Sequence, residues 1–373
     1  CDTRRPVTKR AFLHLGLPKT ATTYLQTILW GQRDAVAAQG LLLPGRERRD
    51  HLWVSRVVRE EPERKRRPER EHEAMARVLS DVAAWDGDVL VSHEFFAAAS
   101  AAQAQAFVEQ LAATGREVHV VLTAREPLGL FTASWQESLK NRSTTALRDY
   151  GRSESQSPQD IWDWRTLDLS LVLERWLEAV PADRTHVLPL DRSADREEIW
   201  RRFAGVVGLD PTAVDVSGSF PNESMGVVEA ELLRRVNAHL GEFRSAFDRG
   251  VWIRTYLADE RLVTRGGERF WPYPDQVEDC RARGERAVAL LADRCVDLVG
   301  DPAWLRVPET LEQRRTPETV SDTEVADAAA EVIAGLLGDV RAMKAERGAG
   351  AGDRPAGRRS LLSRLRGRRS PSR

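Results

Sequence analysis

Four short runs rich in Val and Leu recur along the chain, each followed by a stretch with helical spacing of apolar residues. Arg10–Leu15 precedes Thr20–Trp30, and Asp88–Val91 precedes Ala101–Ala113. Glu117–Leu122 precedes Leu128–Lys140, and Thr185–Leu190 precedes Arg196–Val207. Near-continuous apolar runs suit strands covered on both faces. Strand–helix alternation predicts a parallel sheet with right-handed crossovers. The expected fold class is α/β, three layers αβα around a central, mostly parallel sheet, with extra C-terminal helices. Further helices are predicted at Leu167–Ala179, Val227–Leu240 and Val325–Arg341.

Composition sets the limits of this reading. At 42% hydrophobic and 30% charged, the chain is neither a disordered polyampholyte nor a membrane protein. No apolar run approaches the roughly 18 residues that a spanning helix needs. The opening CDTRRPVTKR has no apolar core of a secretory signal and no initiator Met, so native residues are expected to precede it. Cys1, Cys280 and Cys295 show no CxxC spacing, so neither a zinc site nor a disulfide framework is expected. Cys280 and Cys295 read as small buried thiols in a reducing compartment, and the expected location is cytoplasmic.

Three units are expected: a sheet domain over 8–310, a linker and helix over 311–347, and a basic tail over 348–373. That tail holds eight Arg against one Asp, a net +7. Its Gly, Pro, Ser and Arg cannot bury enough apolar surface to offset ordering, so it is expected to be disordered. It is either a solvated tail or a weak contact to polyanion or membrane surface, with no specific nucleic acid implied. The run Arg59–Glu73 reads as an exposed loop or frayed helix whose ion pairs contribute little.

In parallel sheets ligands bind beyond the carboxyl ends of the strands, so function is sought after Leu15, Val91 and Leu122. After the first strand comes Gly16-Leu17-Pro18-Lys19-Thr20-Ala21-Thr22-Thr23-Tyr24-Leu25-Gln26. Amide hydrogens and the positive end of a helix dipole make this place an anion site, with Lys19 a compact charge and the Thr hydroxyls further donors. It is not a Walker loop, because Pro18 stands where a Gly is needed before Lys. The competing reading has Thr22 and Thr23 merely capping a helix.

The stretch resembles the 5′-phosphosulfate loop of sulfotransferases that use 3′-phosphoadenylyl sulfate (PAPS), whose strand runs into PK[ST]GTT. Bacterial and heparan-type members often continue with Tyr-Leu-Gln, as this chain does. The resemblance implies a P-loop-like fold, with Pro18, Lys19, Thr20, Ala21, Thr22 and Thr23 on the donor's phosphosulfate. Ala21 departs from the family's usual Gly: a positive φ there would cost about 1 kcal/mol or more, whereas within the helical turn Ala is harmless.

The third strand end, Thr123-Ala124-Arg125-Glu126-Pro127, leads to Ser134-Trp135. In the family, an Arg at this strand end and a Ser on the next helix bind the nucleotide 3′-phosphate. Arg125 and Ser134 match at a spacing of nine, one longer than the commonest; one extra residue rotates a helical position by about 100°, and Thr132 is the fallback. Lys140 either lines the acceptor entrance or is solvated. At the second strand end, Ser92-His93-Glu94-Phe95 places two candidate bases side by side, pointing to opposite sides of an extended chain. The resemblance implies Glu94 as the general base, with His93 as its alternative. His51 reads as a core or surface residue, with a place in the acceptor pocket as the alternative.

Ile161-Trp162-Asp163-Trp164-Arg165, Glu174-Arg175-Trp176 and Phe220-Pro221-Asn222-Glu223-Ser224 extend the resemblance to about four-fifths of the chain. The KGxxGxW element that closes the nucleotide site in cytosolic members has only a weak counterpart in Val263–Gly267. The resemblance implies sulfuryl transfer from PAPS to a hydroxyl of a small-molecule, glycolipid or glycan acceptor. Lys19 would stabilise the leaving nucleotide, and no metal is expected. The alternatives are a P-loop kinase acting on ATP and an inactive nucleotide-binding protein.

Overall fold

The computed structural model describes residues 8–62, 68–195, 197–216 and 224–351. Six strands form one all-parallel sheet in the order β2-β3-β1-β4-β5-β6. They are β1 Arg10–His14, β2 Leu41–Leu42, β3 Asp88–Ser92, β4 Glu117–Ala124, β5 Thr185–Pro189 and β6 Asp297–Leu298. The fold is α/β with helices on both faces of the sheet, as the alternating pattern requires.

Side-chain alternation divides the core in two. Ala11, Leu13, Val89, Val91, Val120 and Leu122 face a core shared with helices Ala74–Ala84, Ala101–Ala112 and Pro127–Lys140. Phe12, Leu90 and Val121 face the opposite core, with helices Thr22–Gly31 and Glu197–Val207. Both faces are apolar, so these strands cannot show the alternation of a half-exposed sheet. Complete burial of Phe12 contributes about 2–3 kcal/mol.

β1 lies between β3 and β4, in register Leu13↔Val91 and Leu13↔Val120. The chain leaves β1 toward β2 on one side and leaves β3 toward β4 on the other, so the connections diverge around β1. That divergence opens a crevice at the carboxyl edge. The three strand ends singled out from the sequence are therefore neighbours in space.

Several expectations need correction. Cys280 is buried, but Cys295 is exposed and follows the end of helix Pro274–Asp293 with φ +52°. Arg59, opening the charged run, is buried: it donates to the Pro158 carbonyl at 2.9 Å and lies over the Phe95 ring. Its carbonyl partner is 99 residues away, a contact that local charge density does not reveal. Residues 63–67 of that run lie outside the described residues, as do 217–223, which include most of Phe220–Ser224.

The C-terminal helix spans Asp322–Ala351, and its Val325, Ala328 and Val332 belong to the sheet-side core. It enters the stretch expected as tail; residues 352–373 lie outside the described residues. No helix among the described residues is long and apolar enough to cross a membrane.

Candidate functional site

Beyond His14, the chain keeps pairing with β4: the amides of Leu15 and Leu17 donate to the carbonyls of Val121 and Thr123, both at 2.9 Å. Gly16 has φ +45°, and a Cβ there would lie 2.3 Å from Thr22 Oγ1, so only Gly fits. Thr20 Oγ1 donates to the Leu17 carbonyl at 2.5 Å and lies 2.9 Å from Thr123 Oγ1. Buried His14 bridges below, 2.8 Å from Ser92 Oγ and 3.2 Å from Thr123 Oγ1. The loop is thus bolted to β3 and β4 from beneath.

Lys19 and Ala21 both have φ +65°, on either side of Thr20. Left-handed residues interleaved this way turn backbone amides toward one concavity and make an anion nest. Ala21 occupies the N-cap of Thr22–Gly31, and no side chain caps that helix. Neither Thr22 nor Thr23 acts as the cap. Thr22 Oγ1 is buried without a hydrogen-bond partner. An uncapped helix start with a buried, unsatisfied hydroxyl is a polarity deficit that an anion would satisfy.

The loop borders a cavity of about 650 Å³ that brings together Lys19, Ala21, Thr22, Thr23, Glu94 and Arg125. Pro18 and Thr20 are buried in the loop's supports and do not border it. Lys19 Nζ stands 3.3 Å from Glu137 Oε2, and Arg254 pairs with Oε1 of the same carboxylate. Burial presses the Glu137 pKa upward, but Lys19, Arg254 and Lys140 outweigh it and hold the carboxyl below its ordinary value.

Glu94 begins a short 3-10 turn, Glu94–Ala98, and its carboxylate enters the cavity beside Phe95 and Trp162. Burial raises its pKa above that of an ordinary glutamate, against the pull of its own amide, Arg48 and Lys19. The neighbouring His93 does not border the cavity; its Nδ1 accepts the Phe95 amide at 3.1 Å and lies 3.8 Å from Glu94 Oε2. Burial, then Arg59, Arg56 and Arg48, lower the His93 pKa to about 3, so the ring is neutral. Glu94 and His93 are thus neighbours rather than opposed, but only Glu94 borders the cavity.

Arg125 follows β4 and borders both this cavity and an adjoining one of about 580 Å³. Gly129 allows it to fold across the next helix: a Cβ there would meet Glu126 Oε1 at 2.2 Å and Arg125 Nη2 at 2.6 Å. Glu126 caps that helix through the Gly129 amide and pairs with Arg192 at 2.9 Å, leaving Arg125 4.0 Å away. The adjoining cavity gathers Arg125, Arg192, Arg269 and Arg314 with Trp271, and no acidic residue among the described residues borders it.

Ser134 is not brought to either cavity. Its hydroxyl is 2.7 Å from Tyr150 Oη in the core. Gly129, Thr132, Ala133 and Gln136 form the helix face toward the second cavity, and Ser134 lies about 100° around from Ala133. Thr132 therefore has the position that the spacing assigned to Ser134, although its hydroxyl donates to the Leu128 carbonyl at 2.9 Å. Lys140 neither lines the entrance nor is solvated: it is buried and paired with Asp259 at 2.5 Å. His51 is a core bracket, accepting the Ser92 amide at 3.1 Å and donating to the Pro44 carbonyl at 2.8 Å.

Glu137, Arg254, Arg269 and Arg314 were not singled out in the sequence. Glu137 could have been found, since it lies four residues after Ala133 on the cavity-facing side of the same helix. Arg254 carries no such signal; it arrives on the π-helix Arg249–Leu262, 117 residues beyond Glu137. No protein family, curated protein or solved structure matches the chain.

Proposed function

We propose that the chain is a sulfotransferase that moves a sulfuryl group from PAPS to an acceptor hydroxyl. The observation carrying this reading is the meeting, at one crevice, of an uncapped anion nest with Lys19, a carboxylate base at Glu94, and Arg125 leading into a second cavity with four arginines. A donor with phosphosulfate at one end and a 3′-phosphate at the other presents two separated anions, and two joined anion-binding cavities suit it. A kinase loop would need the Gly that Pro18 replaces.

When bound, PAPS supplies an electrophilic sulfuryl group and a nucleotide leaving group. The amides after Lys19 and the unpaired Thr22 hydroxyl hold the phosphosulfate end. Arg125, with Arg192 and Arg269 nearby, holds the far phosphate through planar forks. Lys19 faces the place where negative charge grows on the departing oxygen, a contact stronger in the transition state than before it. Glu94, its basicity raised by burial, takes the proton of the attacking hydroxyl. Phe95 and Trp162 wall the side from which that hydroxyl approaches.

Calorimetry with adenosine 3′,5′-bisphosphate and, separately, ATP with Mg²⁺ tests the donor. Heat with the bisphosphate alone supports the proposal; heat only with ATP and Mg²⁺ would turn it toward a kinase. Release of the bisphosphate from PAPS in the presence of an acceptor extract separates an enzyme from an inactive binder.

A further inference from the structure

Away from the crevice, the π-helix and the C-terminal helix enclose a groove of about 330 Å³ whose lining is apolar except for the Tyr256 hydroxyl. Leu240, Phe243 and Ile253 form its floor, with Trp252 and Ile333 on its opposite banks. Both banks continue as exposed apolar side chains. Phe247 and Trp252 are 67% and 46% exposed on one; Ile333, Leu337 and Met343 are 55%, 65% and 50% exposed on the other. Single exposed apolar residues need no explanation, but two converging rows do.

The C-terminal helix is held to the π-helix through Asp339, which accepts from Tyr256 Oη at 2.5 Å and pairs with Arg261. Val340 and Met343 lie beyond that tether and continue the stripe of Ile333 and Leu337 at helical spacing. From Val340 onward the sequence carries eleven Lys or Arg against Glu346 and Asp353, a net +9, in a chain whose total is −1. The apolar stripe thus passes directly into the most basic segment of the protein.

We infer that this face docks the chain onto an anionic lipid surface. Apolar side chains would enter the headgroup–acyl boundary while the following Arg residues meet lipid phosphates and carboxylates. A soluble polyanion would answer the charge but leave the groove and its banks in water. A second copy could cover the groove, and light scattering tests for that occupant below. An anionic membrane satisfies both features together.

The test is sedimentation of the full chain with phosphatidylcholine vesicles, with and without phosphatidylserine, at low and high salt. Binding should require phosphatidylserine and weaken with salt. It should fall about tenfold or more in Leu337→Glu/Val340→Glu and in Arg364→Ser/Arg366→Ser/Arg368→Ser/Arg369→Ser. The substituted positions of the first variant are solvent-facing, and an unchanged melting temperature verifies its fold. Equal binding to neutral vesicles, no binding to either, or full binding by the Leu337/Val340 variant would each overturn the inference. So would a dimer in light scattering that this variant converts to monomer, which would assign the face to a second copy.

Discussion

Lys19 Nζ lies 3.3 Å from one oxygen of Glu137, and Arg254 holds the other, so one buried carboxylate divides its charge between two cations of the cavity. Glu137 comes from the helix after β4, Lys19 from the loop after β1, and Arg254 from the π-helix. The three-way contact fixes where the Lys19 ammonium stands before any anion arrives. It leaves Lys19 with unused donors, since an ammonium has three.

Lys19→Ala should lower kcat for sulfuryl transfer by two decades or more, about 3 kcal/mol of barrier, while bisphosphate binding weakens much less. Steady-state release of bisphosphate and calorimetry separate the two effects. Near-normal turnover would remove Lys19 from the transition state. Glu137→Gln works the other way: two cations lose their shared counter-charge, and bisphosphate affinity should rise about threefold to tenfold.

Glu94→Gln should abolish transfer and leave bisphosphate affinity intact, because the carboxylate serves only the acceptor's proton. His93→Gln should retain transfer and lose about 1 kcal/mol of stability with the cap to Phe95. A base with a raised pKa is protonated, and silent, at a higher pH than usual. The acidic limb of kcat/KM should therefore lie above the ordinary glutamate value of 4.5. Loss of transfer in the His93 variant alone would exchange the two roles.

The sheet and the three strand ends were legible because local pattern determines them: doubly covered strands leave apolar runs, and Gly16, Pro18 and Arg125 mark where those runs stop. What stayed hidden depends on tertiary geometry. β2 and β6 have two residues each, too few to show a period. Ser134 was misplaced because one residue of helix phase decides between core and cavity. Arg254 reaches Glu137 only after a π-helical segment has packed against the helix Pro127–Lys140, and no local spacing encodes that approach.

Ala21 has φ +65° and ψ +8°, a left-handed conformation that costs an L-residue with a Cβ about 1 kcal/mol. Ala21→Gly should raise stability by up to about 1 kcal/mol, less the entropy Gly adds to the unfolded chain. Gly16→Ala should do the opposite and more strongly, because its Cβ would strike Thr22 Oγ1. Urea midpoints of the two variants provide the comparison; a destabilised Ala21→Gly would mean the loop does not hold the left-handed turn in solution.

Three buried imidazoles set the behaviour in acid. Burial is the leading cause that lowers the pKa values of His14 and His93 to about 3 and of His51 to about 4, against 6.5 for a free imidazole. Between those values and 6.5 the unfolded chain binds protons that the folded chain refuses. Each imidazole therefore contributes stability present above pH 6.5 and lost as pH falls, at about 1.4 kcal/mol per pH unit. Glu94 and Glu126, whose pKa values burial raises, oppose this, because the folded chain protonates them first. Glu137 and Asp50, held below their ordinary values, add to the loss only once pH nears 4.5. His119, also lowered by burial, adds to the three, so four imidazoles stand against two carboxyls and stability falls between pH 6.5 and 5. The urea midpoint should be flat above pH 7 and decline through that window, with net proton uptake on unfolding. A midpoint that stays level to pH 5 would show that these rings accept protons without leaving the core.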